Sequence, residues 1–305
     1  TGLTSGEGTT HTVTITVSDG NGNTATCTTV LTGDDVTPPT PVCEAPQTIA
    51  LDAECDLLVP DLTDGAVAID NCSTSFTWSQ SPAAGSELAS GEGTTHTVTV
   101  TVSDGNGNSA TCTTVLTGDD ATSPSISCEP GQTVILSALC LLSVPDVLDG
   151  SVGSDNCGSL TWSQSPTLGT LLSSGEGATH TVTVTADDGN GNTSTCTVVL
   201  TGDDATPPVP TCEGPQTIVL DADCELLVPD LTDGATASDN CSSSFYWSQS
   251  PTAGAELASG EGTTHTVTVT ADDGNGNTST CTVVLTGDDT SPPVPTCESA
   301  QTITL

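Results

Sequence analysis

Residues 96–116 read HTVTVTVSDGNGNSATCTTVL, and nearly the same letters stand at 11–31, 180–200 and 265–285. His96, Val98, Val100 and Val102 fall on one side of an extended chain and Thr97, Thr99 and Thr101 on the other, the period of a half-buried β-strand. Asp104-Gly105-Asn106-Gly107-Asn108 follows with residues that tolerate positive φ, so the chain is expected to turn back here. On the return strand Ala110, Cys112, Thr114 and Leu116 share a face. One side of the hairpin is therefore apolar, and a second sheet has to cover it.

The copies are evenly spaced. His11, His96, His180 and His265 stand 85, 84 and 85 residues apart, and Cys43, Cys128, Cys212 and Cys297 repeat those intervals, which makes the chain a tandem array. The missing residue lies before the second tryptophan: Cys157 to Trp162 is five positions, where Cys72 to Trp78 and Cys241 to Trp247 are six. Asp-Asp pairs followed by proline mark the boundaries, at Asp34-Asp35, Asp119-Asp120, Asp203-Asp204 and Asp288-Asp289. The division is 1–35, the closing part of a repeat; 36–120, 121–204 and 205–289, complete repeats; and 290–305, the opening strand of another. Short acidic connections with proline are stiff. Because both ends cut through a repeat, the chain is expected to be a segment of a longer array.

Composition removes several functions. There is no Lys or Arg against 39 acidic residues, a formal charge of −39. Such a surface cannot neutralise phosphates, which argues against a nucleic-acid partner. It also lacks the basic flanks that orient a membrane segment, and no apolar run approaches ~20 residues, so no membrane insertion is expected of this segment. Aromatics make up only 2% of the chain, so each repeat must build its core from Val, Leu, Ile and one Trp. Units of this size bury only about two-thirds of their surface and need covalent staples.

Cysteine supplies the staples. The complete repeats hold Cys43, Cys55, Cys72 and Cys112; Cys128, Cys140, Cys157 and Cys196; and Cys212, Cys224, Cys241 and Cys281. Regular cysteines in a small all-β unit imply an oxidising compartment, extracellular or at the cell surface. The nearest pair, Cys43 and Cys55, is twelve residues apart and there is no C-x-x-C, which argues against a zinc–thiolate site. Four cysteines allow three connectivities. Cys27 and Cys297 belong to the incomplete repeats, and their partners are expected outside this sequence.

Within a complete repeat, strands are expected near 46–51, 56–60, 75–80, 86–89, 95–103 and 109–117. Phe76 and Trp78 share a face of the third, as do Leu160 and Trp162, and Phe245 and Trp247. One buried Trp on a middle strand, among six or seven short strands separated by turn signals, is the pattern of an immunoglobulin-like β-sandwich. The expected fold is therefore all-β: a tandem array of such domains, each of about 85 residues and disulfide-stapled.

Pro38-Pro39 ahead of Cys43, then Cys55, Asp70-Asn71-Cys72, Gly91-Glu92-Gly93-Thr94-Thr95 leading into Val98-Thr99-Val100, and Asp104 to Asn108 followed by Ala110-Thr111-Cys112 together form a recognisable order. It resembles the hyalin repeat, or HYR, module. The resemblance implies an immunoglobulin-like fold used in tandem by secreted and cell-surface proteins, generally in adhesion. Glu44, Glu129 and Glu213 depart from it, standing where that family usually has Pro, and so does the lack of basic residues. The resemblance pairs first-strand with last-strand cysteines: Cys43–Cys112, Cys128–Cys196 and Cys212–Cys281. That leaves Cys55–Cys72, Cys140–Cys157 and Cys224–Cys241. A straight second strand would carry the last-named partners to opposite ends, so Asp61 to Asn71 would have to fold back.

No catalytic constellation is expected. There is no G-x-S-x-G elbow and no cation to clamp a substrate. No cofactor is required by this reading. Asp104 to Asn108 resembles the opening of a calcium loop but lacks the glycine and the distant Glu that an EF-hand needs. In an immunoglobulin-like sandwich the last hairpin turn and the second-to-third-strand loop face the preceding domain. Asp34, Asp35, Asp70, Asn71, Asp104 and Asn106 are then expected to gather at the first boundary, Asp119, Asp120, Asp155 and Asp188 at the second, and Asp203, Asp204, Asp239 and Asp273 at the third. With no internal counter-charge they would attract a divalent cation, most plausibly Ca²⁺.

Sequons stand at Asn71, Asn192, Asn240 and Asn277; Asn71 and Asn240 precede a cysteine, leaving Asn192 and Asn277 as candidate glycan sites. Outward Thr97, Thr99 and Thr101 could carry O-glycans, though threonine is also simply a good β-former. Two functions fit. One is a structural segment of an extracellular filament, stalk or fibre whose partner is itself, through head-to-tail repeats or neighbouring subunits. The other is a cell-surface adhesin binding glycan or protein. The near-identity of the units favours the first.

Overall fold

The computed structural model describes residues 2–303, and every regular element among them is a β-strand. β1 (Thr10–Ser18) and β2 (Thr24–Thr32) form the first copy of the hairpin. The first complete repeat supplies β3 (Thr40–Val42), β4 (Gln47–Ala50), β5 (Asp56–Leu58), β6 (Val67–Ile69), β7 (Thr77–Ser81), β8 (Glu87–Ala89), β9 (Thr95–Ser103) and β10 (Ser109–Asp119).

One layer of this repeat is the sheet β4-β10-β9-β7; the other is made by the pairs β3-β6 and β5-β8. The hairpin register matches the alternation of the sequence: Val102 faces Ala110, Val100 faces Cys112, and His96 faces Leu116. Val98, Val100, Cys112 and Leu116 meet Leu57 of β5 and Leu88 of β8 in one core with Leu51, Val59 and Leu62. Val98, Val100, Val102, Leu57 and Leu116 are completely buried. The opening strand is split, with β3 antiparallel to β6 and β4 parallel to the end of β10, where Gln47 lies opposite Leu116. That switch closes the sandwich on both layers.

The other two complete repeats have the same strand order. By its internal contacts the chain divides into two compact units: Thr1–Ser127 with Val152–Trp162 and Thr185–Thr195, and Cys128–Ser151 with Ser163–Val184 and Cys196–Leu305. In the second unit the third repeat packs Leu226, Val267, Val269 and Leu285 into a core equivalent to that of the first.

Two of the three-residue strands, β3 and β6, have no counterpart among the expected strands, since segments this short containing Pro41 or Ala68 carry no alternation to detect. Trp78 is half-buried rather than buried, packed on the core and edge-on to Phe76 at 6.5 Å between ring centroids. Gln80, beneath it, accepts from the Leu62 amide at 2.8 Å and donates to the Pro60 carbonyl at 2.9 Å, fixing the segment after β5. Gln164 and Gln249 do the same in their repeats.

Three disulfides agree with the expected first-to-last pairing: Cys43–Cys112, Cys128–Cys196 and Cys212–Cys281. The second set does not. Cys55 is bonded to Cys157 and Cys140 to Cys241, each bond joining one repeat to the next, while Cys72 and Cys224 are free thiols. The within-repeat pairs Cys55–Cys72, Cys140–Cys157 and Cys224–Cys241 are therefore corrected. The cause is strand direction: the segment beyond β5 runs along the sandwich without doubling back, so Cys72 lies by the preceding boundary and Cys55 by the following one. Cys27 and Cys297 are also free and exposed.

One glycine tests the packing where β10 meets the loop before β9. Gly118 donates to the Thr94 carbonyl and accepts from the Gly93 amide, both at 2.9 Å. A Cβ there would stand 2.8 Å from Leu51 Cδ2 and 2.9 Å from the Gly91 carbonyl oxygen. Gly118→Ala is expected to lower stability by about 1–3 kcal/mol through overpacking. An unchanged denaturation midpoint in urea would contradict this contact.

Candidate metal centre

The Asp-Gly-Asn-Gly-Asn turn is held by its first residue. Asp104 Oδ1 accepts the amides of Asn106 at 2.8 Å and Asn108 at 3.1 Å, and Oδ2 accepts the Asn108 side chain at 2.7 Å. The two asparagines then reach across to the preceding connection. Asn106 Nδ2 donates to Asp35 Oδ2 at 3.1 Å, and Asn108 Nδ2 to the Asp35 carbonyl at 2.9 Å. Asn190 and Asn192 hold Asp120 in the same way, both at 2.8 Å, and Asn275 and Asn277 hold Asp204 at 3.4 and 2.7 Å. The turn is therefore a clasp as well as a hairpin.

Asn192 and Asn277, the candidate glycan sites, are both members of this clasp. Each Nδ2 already donates twice, to the connecting Asp carbonyl and to the Asp that opens its own turn. A glycan on that nitrogen would have to displace one of these bonds.

A third carboxylate completes the group. Asp70 Oδ1 accepts the amides of Cys72 and Ser73, both at 2.8 Å, which leaves Oδ2 buried with no hydrogen-bond partner. Asp155 Oδ1 and Asp239 Oδ2 are orphaned alike. The outcome is three triads, Asp35/Asp70/Asp104, Asp120/Asp155/Asp188 and Asp204/Asp239/Asp273, each with one oxygen per residue within 4.8 Å of the others. Asp35, Asp104, Asp120, Asp188, Asp204 and Asp273 are all at most 6% exposed.

This donor set fits a hard divalent cation. Two oxygens bound to one Ca²⁺ at 2.3–2.6 Å can be no more than about 5 Å apart, and the triads meet that limit. A buried carboxylate oxygen without a donor is costly, and no Lys or Arg exists to pair with it. Burial pushes Asp104, Asp188 and Asp273 up, but the Asn side-chain and backbone donors of their own turns outweigh it and hold all three below the usual carboxylate range. They are thus kept ionised as acceptors. Burial, with Asp35, Asp70 and Glu7 adding to it, pushes the Cys72 thiol up.

Some expected members stand outside the triads. Asp34 and Asp119 are exposed and Asp203 only half-buried, because neighbours in an extended segment point to opposite sides and only the second Asp of each pair turns inward. Asn106 serves as a donor to Asp35 rather than as a member of the triad, and Asn71 contacts only its neighbour, Cys72 Sγ, at 3.2 Å.

Sequence reasoning missed the glutamates. Glu7, Glu92 and Glu176 each accept the backbone N–H of the triad Asp lying 28 residues later, at 2.6, 2.6 and 2.7 Å. The Gly-Glu-Gly copied ahead of every hairpin was the available signal.

No protein-family model matches the chain, and no curated protein matches it. Among solved structures, mouse cadherin-23 EC22-24 is similar at 14% identity over 83% of this chain and 99% of that one, with a TM-score of 0.37. Protocadherin gamma B2 domains 1-5 give 12% identity over 93% and 67%, with a TM-score of 0.41. Drosophila N-cadherin EC1-4 gives 13% over 93% and 85%, with a TM-score of 0.32. At these scores the likenesses carry no conclusion about function.

Proposed function

We propose that this chain is a structural segment of an extracellular filament, stalk or fibre, built from repeats whose boundaries are clamped by Ca²⁺. The observation that carries the reading is the recurrence of one boundary three times: a clasped connecting Asp, an orphaned Asp and a turn Asp brought within 4.8 Å. Asp35, Asp70 and Asp104, and their counterparts, would hold the ion. When bound it would supply the positive charge the chain itself lacks, linking the connection to the loop and the turn that follow it. The clasp asparagines orient the connecting Asp, and Glu7, Glu92 and Glu176 fix its backbone.

Disulfides that tie repeat to repeat support an oxidising, extracellular setting. The resemblance to the hyalin repeat fits the same setting. An adhesin reading has less to stand on. Glycan recognition usually relies on an aromatic platform, and Tyr246 is the only large aromatic that is mostly exposed among the described residues. The partner that fits best is a further repeat of the same kind.

Negative-stain images of the native material in millimolar Ca²⁺ are expected to show long fibres. Discrete particles of single-chain mass under those conditions would overturn the structural reading.

A further inference from the structure

In the boundary between the first and second complete repeats, one tripeptide makes three different connections to what precedes it. Asp155 joins the carboxylate triad with Asp120, Asn156 Nδ2 donates to the Asp52 carbonyl at 2.8 Å, and Cys157 is bonded to Cys55. The next boundary repeats this with Asp239, Asn240 donating to the Ser137 carbonyl at 3.0 Å, and Cys241 bonded to Cys140. Asp-Asn-Cys is thus a connector, and its receptor is the turn that presents a carbonyl and a thiol just before the strand Asp56–Leu58 or Leu141–Ser143.

Both halves of this device also occur without a mate. Asp70 joins its triad, yet Asn71 reaches only the Sγ of Cys72 and that thiol is free. At the other face Cys224 is free, but its backbone has the shape of the bonded receptors: φ is 56°, against 65° at Cys55 and 54° at Cys140, and these three are the only non-glycine residues with positive φ among the described residues. The Cys224 amide donates to the Asp221 carbonyl at 3.2 Å, as that of Cys55 does to Asp52 at 3.1 Å, so carbonyl and thiol are presented together again. Beside them Asp289 is held by Glu261 at 2.7 Å, the half of a triad that a connecting segment contributes.

We propose that Cys72 and Cys224 are the two complementary halves of a repeat-to-repeat disulfide, so that Cys224 receives the Asp-Asn-Cys of another repeat of this type and Cys72 the second-strand cysteine of another. Oxidation of the two thiols by a thiol–disulfide oxidant, such as a disulfide exchange partner in the oxidising compartment, forms one S–S bond and passes two electrons and two protons to that oxidant. The proposal rests on the array reading above but not on the bound cation.

The test is disulfide mapping of the intact native material, alkylated without reduction and cleaved with a protease specific for Asp, since there is no Lys or Arg for trypsin. The Cys224 peptide is expected to be cross-linked to a peptide containing Asp-Asn-Cys, and the Cys72 peptide to one carrying a second-strand cysteine, neither being alkylated. Denaturing gels run with and without reductant separate the two sources, because only a bond to a second copy lowers the apparent mass on reduction. Quantitative alkylation of Cys72 and Cys224, or the links Cys55–Cys72 and Cys224–Cys241, would overturn the proposal. Fibres seen with both thiols free would refute the connector while leaving the array reading intact.

Discussion

Chelation of divalent cations at low ionic strength is expected to lower the melting temperature by about 10–20 °C. A cation held at 100 times its dissociation constant stabilises its site by about 2.7 kcal/mol, and each kcal/mol shifts a domain of 60–100 residues by about 4–8 °C. Without the cation, carboxylates as close as those of a triad repel by about 3–4 kcal/mol per pair at an effective dielectric near 20. Three triads make the effect a property of the whole chain. Asp188→Asn should remove most of the response at its own boundary and leave the other two. Acid should act in the same direction. Asp104, Asp188 and Asp273 have depressed folded-state values, so their contribution is present above the unfolded value of about 3.9 and is lost as pH falls through the folded one. Differential scanning calorimetry with and without chelator, at pH 7 and again below pH 4, checks both statements. Identical melting in chelator and in Ca²⁺ at pH 7 would refute the clamp.

Paired replacement of Cys55 and Cys157 by serine is expected to separate the melting of two repeats that otherwise unfold together. The bond closes a loop with a sequence separation of 102 residues. The chain-entropy model assigns about 4–5 kcal/mol to a loop of that size. Because the loop contains one boundary, the loss falls on both flanking repeats. Replacing Cys43 and Cys112, separated by 69 residues within one repeat, should destabilise that repeat alone. Calorimetry resolves the two cases: a split transition for the first variant, a single shifted component for the second. If both variants gave the same trace, the boundary disulfide would have no role in coupling the repeats.

The hairpin was readable in full, because its alternation and its turn are both local: Val98, Val100 and Leu116 are buried and the register follows the pattern. Asp35, Asp70 and Asp104 were also readable as neighbours, since the fold class places their loops at one end. Disulfide register was not. Cys72 and Cys157 stand in the same Asp-Asn-Cys context, and an even number of cysteines per repeat suits a bond within a repeat as well as a staggered one. Only the direction of the segment after Cys55 decides between them, and the Gln80 bonds to Pro60 and Leu62 that help set it are long-range. Glu92 escaped notice for a related reason: its role appears only once the chain end of β10 is laid beside the Gly-Glu-Gly loop.

The staggered disulfides have a topological consequence. The loops closed by Cys43–Cys112, Cys55–Cys157, Cys140–Cys241 and Cys212–Cys281 overlap in succession, so every peptide bond from Cys43 to Cys281 lies inside at least one closed ring. A protease that nicks the exposed connection at Asp119 or Ala121 cuts the backbone without parting the chain. With Cys128–Cys196 included, parting the two ends takes three scissions between Cys43 and Cys281, or one scission followed by a reductant.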